Sequence, residues 1–145
     1  MKNINAKFLL TITLVSLGSM ASCDGDEFSP AEQMKRLLIG NGSKTWKIQS
    51  VTIDDTDQTI QFTGMTMKFS DDAYFTTDGG LVWPSSDTWE FTDLQAIAFY
   101  RSDGIEVQIE TSGDRLLLSL DWTKTTYGGG RTASIAGEHI FEFGL

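Results

Sequence analysis

The sequence predicts an all-β domain, an antiparallel up-and-down barrel of about eight strands with one short N-terminal helix. Three observations lead there. Apolar residues alternate with polar ones at period two across residues 45–143, turn signals interrupt the alternation at short intervals, and no helical pattern intervenes. The turn signals are Asp54-Asp55, Asp78-Gly79-Gly80, Asp103-Gly104, Gly113-Asp114 and Gly128-Gly129-Gly130. Short strands joined this way form either a barrel or a sandwich, and a chain of consecutive hairpins favours the barrel. The absence of any internal repeat of roughly 20–50 residues excludes propellers and solenoids.

The helix is expected over Pro30–Ile39. Ser29 offers a capping oxygen, Pro30 suits the first helical position, and Glu32 completes a capping box. Met34, Leu37 and Leu38 share one face, and Gly40 or Gly42 supplies the stop. In the first strand Trp46 and Ile48 share a face while Val51 and Ile53 have the opposite parity, so a bulge is expected near Gln49 and Ser50. Met65, Met67 and Phe69 then alternate with Thr66 and Lys68. Ala73 and Phe75 follow the Asp71-Asp72 turn, Trp89 and Phe91 flank Glu90, and Ile97 and Phe99 flank Ala98. The run Ile105-Glu106-Val107-Gln108-Ile109-Glu110 is apolar on one side only. Leu116, Leu118, Leu120 and Trp122 line the next strand, and Phe141 and Phe143 the last. With Phe69, Phe75, Trp89, Phe91, Phe99, Leu118 and Phe141 as inward candidates, little cavity should remain.

Residues 1–22 have another character. Lys2 and Lys7 precede an apolar stretch of ten residues, Phe8 to Leu17, and the small residues Gly18, Ser19, Ala21 and Ser22 follow. That layout is a secretory signal. Ten helical residues span about 15 Å, half of a ~30 Å hydrocarbon core, so a transmembrane helix is not expected. The only cysteine, Cys23, stands where the signal ends and excludes an intrachain disulfide.

Leu17-Gly18-Ser19-Met20-Ala21-Ser22-Cys23 resembles the lipobox of bacterial lipoproteins, with Met20 where that family usually has Leu. The resemblance implies cleavage before Cys23 and acyl chains, palmitate among them, on that residue. They would hold the protein to a membrane, each buried CH₂ contributing about 0.8 kcal/mol. Asp24, Gly25, Asp26 and Glu27 look like the surface-export signal of Bacteroidota lipoproteins, which implies an outer-membrane protein displayed at the cell surface, with the periplasmic leaflet as the alternative. As chemistry alone, residues 23–28 are a lipidated cysteine and a solvated acidic tether.

At 145 residues the chain has room for one globular domain, placed at 29–145. It carries 20 acidic against 11 basic side chains, and loss of Lys2 and Lys7 with the signal leaves 20 against nine. So acidic a domain lacks the basic footprint that a nucleic-acid partner requires.

Asn41-Gly42-Ser43-Lys44-Thr45-Trp46-Lys47, opening the first strand after a short helix, is similar to the start of the small lipocalin-like lipoproteins of Bacteroidota. Phe69, Phe75, Gly79-Gly80, Trp89-Glu90-Phe91, Gly137 and Phe141-Glu142-Phe143 fit the same family. The resemblance covers residues 29–145 and implies a lipocalin-like barrel. In lipocalins a Gly-x-Trp motif opens the first strand and an arginine packs over that Trp; here Gly42 lies four positions before Trp46, and Arg131 is the candidate arginine.

Catalytic constellations are scarce. His139, the only histidine, reads as a strand residue beside Phe141 and Phe143. Glu106 and Glu110 share a face about 13 Å apart at strand rise, too far for a glycosidase pair. Asp54-Asp55-Thr56-Asp57 and Asp71-Asp72 lack the calcium-loop pattern and read as turns, and Gly128-Gly129-Gly130-Arg131 lacks the residues of a phosphate loop. No metal or cofactor is expected. Aromatic side chains remain. Trp83 and Tyr127 lie in loop-like stretches where an indole or phenol can stack on a sugar or an apolar ligand, or fold back over the barrel mouth. Trp122, on an apolar strand face, joins them as a ligand candidate. The expected function is a lipid-anchored, non-catalytic, monomeric binding lipoprotein with a barrel for a small apolar molecule or glycan. The alternative is a surface adaptor with a plugged barrel and no small-molecule ligand.

Overall fold

In a computed structural model, residues 27–42, 44–123 and 135–145 are described. The helix α1 covers Pro30–Ile39, and the strands are β1 (Trp46–Ile53), β2 (Thr56–Asp57), β3 (Thr66–Phe69), β4 (Ala73–Thr77), β5 (Ser86–Phe91), β6 (Ala98–Arg101), β7 (Glu106–Ser112), β8 (Arg115–Trp122) and β9 (Gly137–Gly144). Each strand from β3 to β9 pairs antiparallel with the next, β1 pairs with β3, and β9 returns to β1. Eight strands therefore close into a lipocalin-like barrel, with β2 a two-residue flap on β1. Closure leaves no long strand edge open to pairing with another chain.

The local rules act as the residues require. The Ser29 hydroxyl accepts from the Glu32 amide at 3.3 Å, and the Glu32 carboxylate accepts from the Ser29 amide at 2.8 Å. The register of β1 against β9 slips between Ile48 and Ser50, which carries both Trp46 and Val51 to the inside despite their parity. Asp54 and Asp55 take positive φ at the tip of the β1–β2 hairpin, as a tight turn there demands.

Two face assignments change. Phe75 points outward, 51% exposed, and its neighbour Tyr74 is fully buried. The cause is the hairpin: Ser70 and Ala73 close a tight turn, so Phe69 pairs with Tyr74 and both face the core. The offset of five from Phe69 to Tyr74 is odd, so the turn reverses the parity that unbroken alternation would carry from Phe69 to Phe75. Ile97 is likewise exposed, while Phe99 opposite Val107 is buried.

In an up-and-down barrel alternate connections fall at opposite ends. One end is covered by α1, whose Leu38 is fully buried. The last carbonyls of a helix lack partners within it, and side chains supply them here: Trp46 Nε1 donates to Leu38 O at 3.0 Å and Lys44 Nζ to Leu37 O at 2.7 Å. Lys44 lies 4.1 Å above the Trp46 ring. Among the described residues the cation over Trp46 is thus Lys44, and the candidate arginine, Arg131, lies outside them. The far end carries the β1–β2 turn, the 3₁₀ turn Thr59–Phe62, the β4–β5 and β6–β7 connections, the end of β8 and the start of β9.

Candidate functional site

The far end is where sequence and geometry meet. The connection after β4 folds into the barrel instead of over it. The Trp83 amide donates to Gly79 O at 3.1 Å, and Thr76 holds the loop exit by donating twice, its amide to Ser85 O and its hydroxyl to Pro84 O. A Cβ on Gly79 would lie 2.6 Å from both the Cβ and the carbonyl oxygen of Trp83, so this tight reversal requires glycine. It delivers Val82 and Trp83 to the interior, Trp83 with 1% of its surface exposed. The indole meets Tyr74 and Phe141 edge to face, at 5.5 and 5.6 Å between centroids. Phe62 closes on Phe141 from the 3₁₀ turn at 5.0 Å.

Arg101, the last residue of β6, faces inward because it pairs with Trp89 and shares parity with Phe99. Its guanidinium lies 5.2 Å from the Trp83 ring and 5.8 Å from the Trp122 ring, a cation between two indoles. Nη1 donates to Val82 O at 2.6 Å and Nη2 to the Asp103 carboxylate at 2.9 Å. The arginine is 5% exposed. The chain thus buries a charge with one carboxylate partner among the described residues, Asp103, whose side chain stays 24% exposed at the rim.

Three further polar atoms sit in this region without a partner among the described residues: Arg101 Nε, Trp83 Nε1 and His139 Nε2. Buried polar atoms are normally hydrogen-bonded, and each exception calls for a physical reason. His139 stacks on Phe141 at 5.9 Å, and its Nδ1 lies 3.0 Å from Gly137 O. A proton on Nδ1 makes that contact a hydrogen bond and leaves Nε2 a bare acceptor. Burial holds the imidazole below its ordinary range; the Gly137 carbonyl and Asp54 oppose the shift without cancelling it.

The sign of the resulting pH dependence follows. The unfolded histidine takes up a proton near pH ~6.5, whereas the folded one resists it until lower pH. Its contribution is complete above about 6.5 and is lost as the pH falls below that value. Glu32, Asp57 and Glu142 are shifted below the ordinary carboxylate range and lose their contributions at more acidic pH. Urea midpoints between pH 7.5 and 5 should therefore drop in the parent chain and stay nearly flat in His139→Leu. An equal drop in both would assign the dependence to other groups.

Of the sequence-predicted ligand residues, Trp83 and Trp122 converge on Arg101, and Tyr127 lies outside the described residues. Trp83 takes the folded-back placement, and no face of its ring is open to solvent. Cys23 also lies outside the described residues. Arg101 and Tyr74 were missed by the sequence reading. A usable signal for Arg101 existed, since two positions after an inward Phe99 any strand residue faces inward. The outward side offers carboxylates, Glu106 and Glu110 among them, spread along the wall. No protein-family model, no curated protein and no solved structure matches the chain.

Proposed function

We propose that this chain is a non-catalytic binding lipoprotein of the cell envelope. Acyl chains on Cys23 anchor it, the acidic stretch after Cys23 serves as tether and surface-export signal, and the barrel takes a small ligand at its far end. The outer membrane with surface display is the proposed location, and the periplasmic leaflet the alternative. The observation that carries the binding reading is the far-end cluster: a buried arginine between two tryptophans, with three polar atoms lacking partners among the described residues. Such a set of convergent polar groups in an apolar enclosure is what small-molecule sites are made of.

A second reading, the adaptor with a filled barrel, is favoured by the dense aromatic packing of Trp83, Tyr74 and Phe141. A thermal-shift screen of the full chain separates the two. Stabilisation by small apolar or glycan compounds that is lost in Arg101→Gln supports the binding reading, and a chain stabilised by none of them supports the adaptor. Anchoring is tested separately: Cys23→Ala should abolish metabolic labelling with a palmitate analogue and release the protein from membranes. Retention of the variant on membranes at the processed mass contradicts the lipoprotein reading.

A further inference from the structure

Resting on the lipoprotein reading, we propose that the α1 end of the barrel is seated on the lipid surface that holds the acyl chains of Cys23, with the Arg101 end turned away from it. Three observations carry this. The first is reach. Phe28 follows Cys23 by five positions and leads directly into α1. An extended chain gains at most about 3.6 Å per residue, so the anchor stays within about 18 Å of Phe28. The eight residues of β8 span about 26 Å. The tether is shorter than the barrel wall, and the α1 end lies nearest the bilayer.

The second is the apolar surface left uncovered. Phe28, Leu37, Leu94, Ile97 and Leu145 are exposed and all belong to the α1 end, against Ile60 and Leu81 at the far end. Leu94 and Ile97 lie on the β5–β6 connection, Leu94 with 77% of its surface exposed. That turn fixes them outward. The Asp93 carboxylate accepts from the Gln95 amide at 2.8 Å, and Ala96, at φ 56°, is fully buried. A small residue points in while two large apolar ones point out, the reverse of what burial in water favours. Contact with lipid removes that cost, and a reversible acyl attachment becomes a firm one when a second contact joins it.

The third is charge. Every basic side chain among the described residues except the buried Arg101 lies toward the α1 end: Lys35 and Arg36 on α1, Lys44 and Lys47 at the start of β1, Lys68 in β3 and Arg115 at the start of β8. The far end shows Asp54, Asp55, Asp57, Asp78, Asp121 and Glu138, with no exposed cation among the described residues. Acidic side chains such as Asp71, Asp72 and Asp114 offset the cations of the α1 end. Anionic headgroups therefore repel the far end much more than the α1 end.

The test uses the full chain, acylated in a bacterial host and reconstituted in vesicles of phosphatidylethanolamine and phosphatidylglycerol. Acylation consumes the only thiol of the sequence, so Leu94→Cys and Ile60→Cys each offer a single site for a nitrobenzoxadiazole dye. Both positions are highly exposed, one at each end. A doxyl lipid labelled near the headgroup should quench the dye severalfold more at position 94 than at position 60. Adding Leu37→Glu and Ile97→Glu to Leu94→Cys should lower the quenching to the level of position 60 while the chain still floats with the vesicles. Equal quenching at the two positions of a floated chain, or quenching at 94 that the added glutamates leave unchanged, overturns the seating and leaves the lipoprotein reading intact. A chain whose mass lacks acyl groups and that does not float with vesicles overturns the lipoprotein reading, and the seating falls with it.

Discussion

Trp83→Ala is expected to lower the free energy of unfolding by about 3–5 kcal/mol, the range for a large aromatic removed from a packed interior. The indole has 1% of its surface exposed and contributes two edge-to-face contacts and one face to Arg101. Its loss opens a void and also strips the guanidinium of an aromatic neighbour, so relaxation of the loop alone will not restore the packing. Phe75→Ala supplies the contrast on the same β4 neighbourhood. Phe75 is 51% exposed and points away from the core, and its removal should cost less than about 1 kcal/mol. Urea denaturation of both variants checks the pair. A Trp83 cost as small as that of Phe75 would mean that the loop does not hold its indole inside.

The second large effect lies mid-wall. Leu118 is fully buried and pairs with Ile109 and Phe141 on either side, both of them core residues. Leu117 pairs with Glu110 and Glu142, on the outward face. Leu118→Ala should cost about 2–5 kcal/mol and Leu117→Ala a fraction of that, since strand alternation puts adjacent side chains on opposite faces. Equal losses measured in urea would contradict the face assignment of β8 and, through the shared register, that of β7 and β9.

How much of this was legible in the sequence depends on what fixed each element. The helix followed from Ser29, Pro30 and Glu32 because a capping box is a local device, and the same bonds form in the structure. The bulge in β1 was legible because Trp46 and Val51 cannot both be inward in an unbroken strand. Phe75 was misread because the parity of β4 is set by its turn: the pairing of Phe69 with Tyr74 depends on a residue count across the hairpin that periodicity within either strand does not contain. Trp83 left both placements open, because a loop residue is placed by the space the strands leave, and that space exists only once the barrel closes. Arg101 was overlooked for a related reason. A charged residue is read as outward by composition, and only the closed barrel shows two indoles and a backbone carbonyl waiting for it.

The double-mutant cycle of Arg101→Met with Trp83→Leu tests most directly whether the far end is one coupled unit. Both replacements keep apolar volume in place, so the interaction term reports the contact itself more than a cavity. The structure predicts a coupling of about 1–2 kcal/mol in urea denaturation, the double variant being less destabilised than the two single losses combined, because either change already breaks the cation–indole contact. Strict additivity within about 0.3 kcal/mol would show that Arg101 and Trp83 do not sense each other, and would contradict a site built around them.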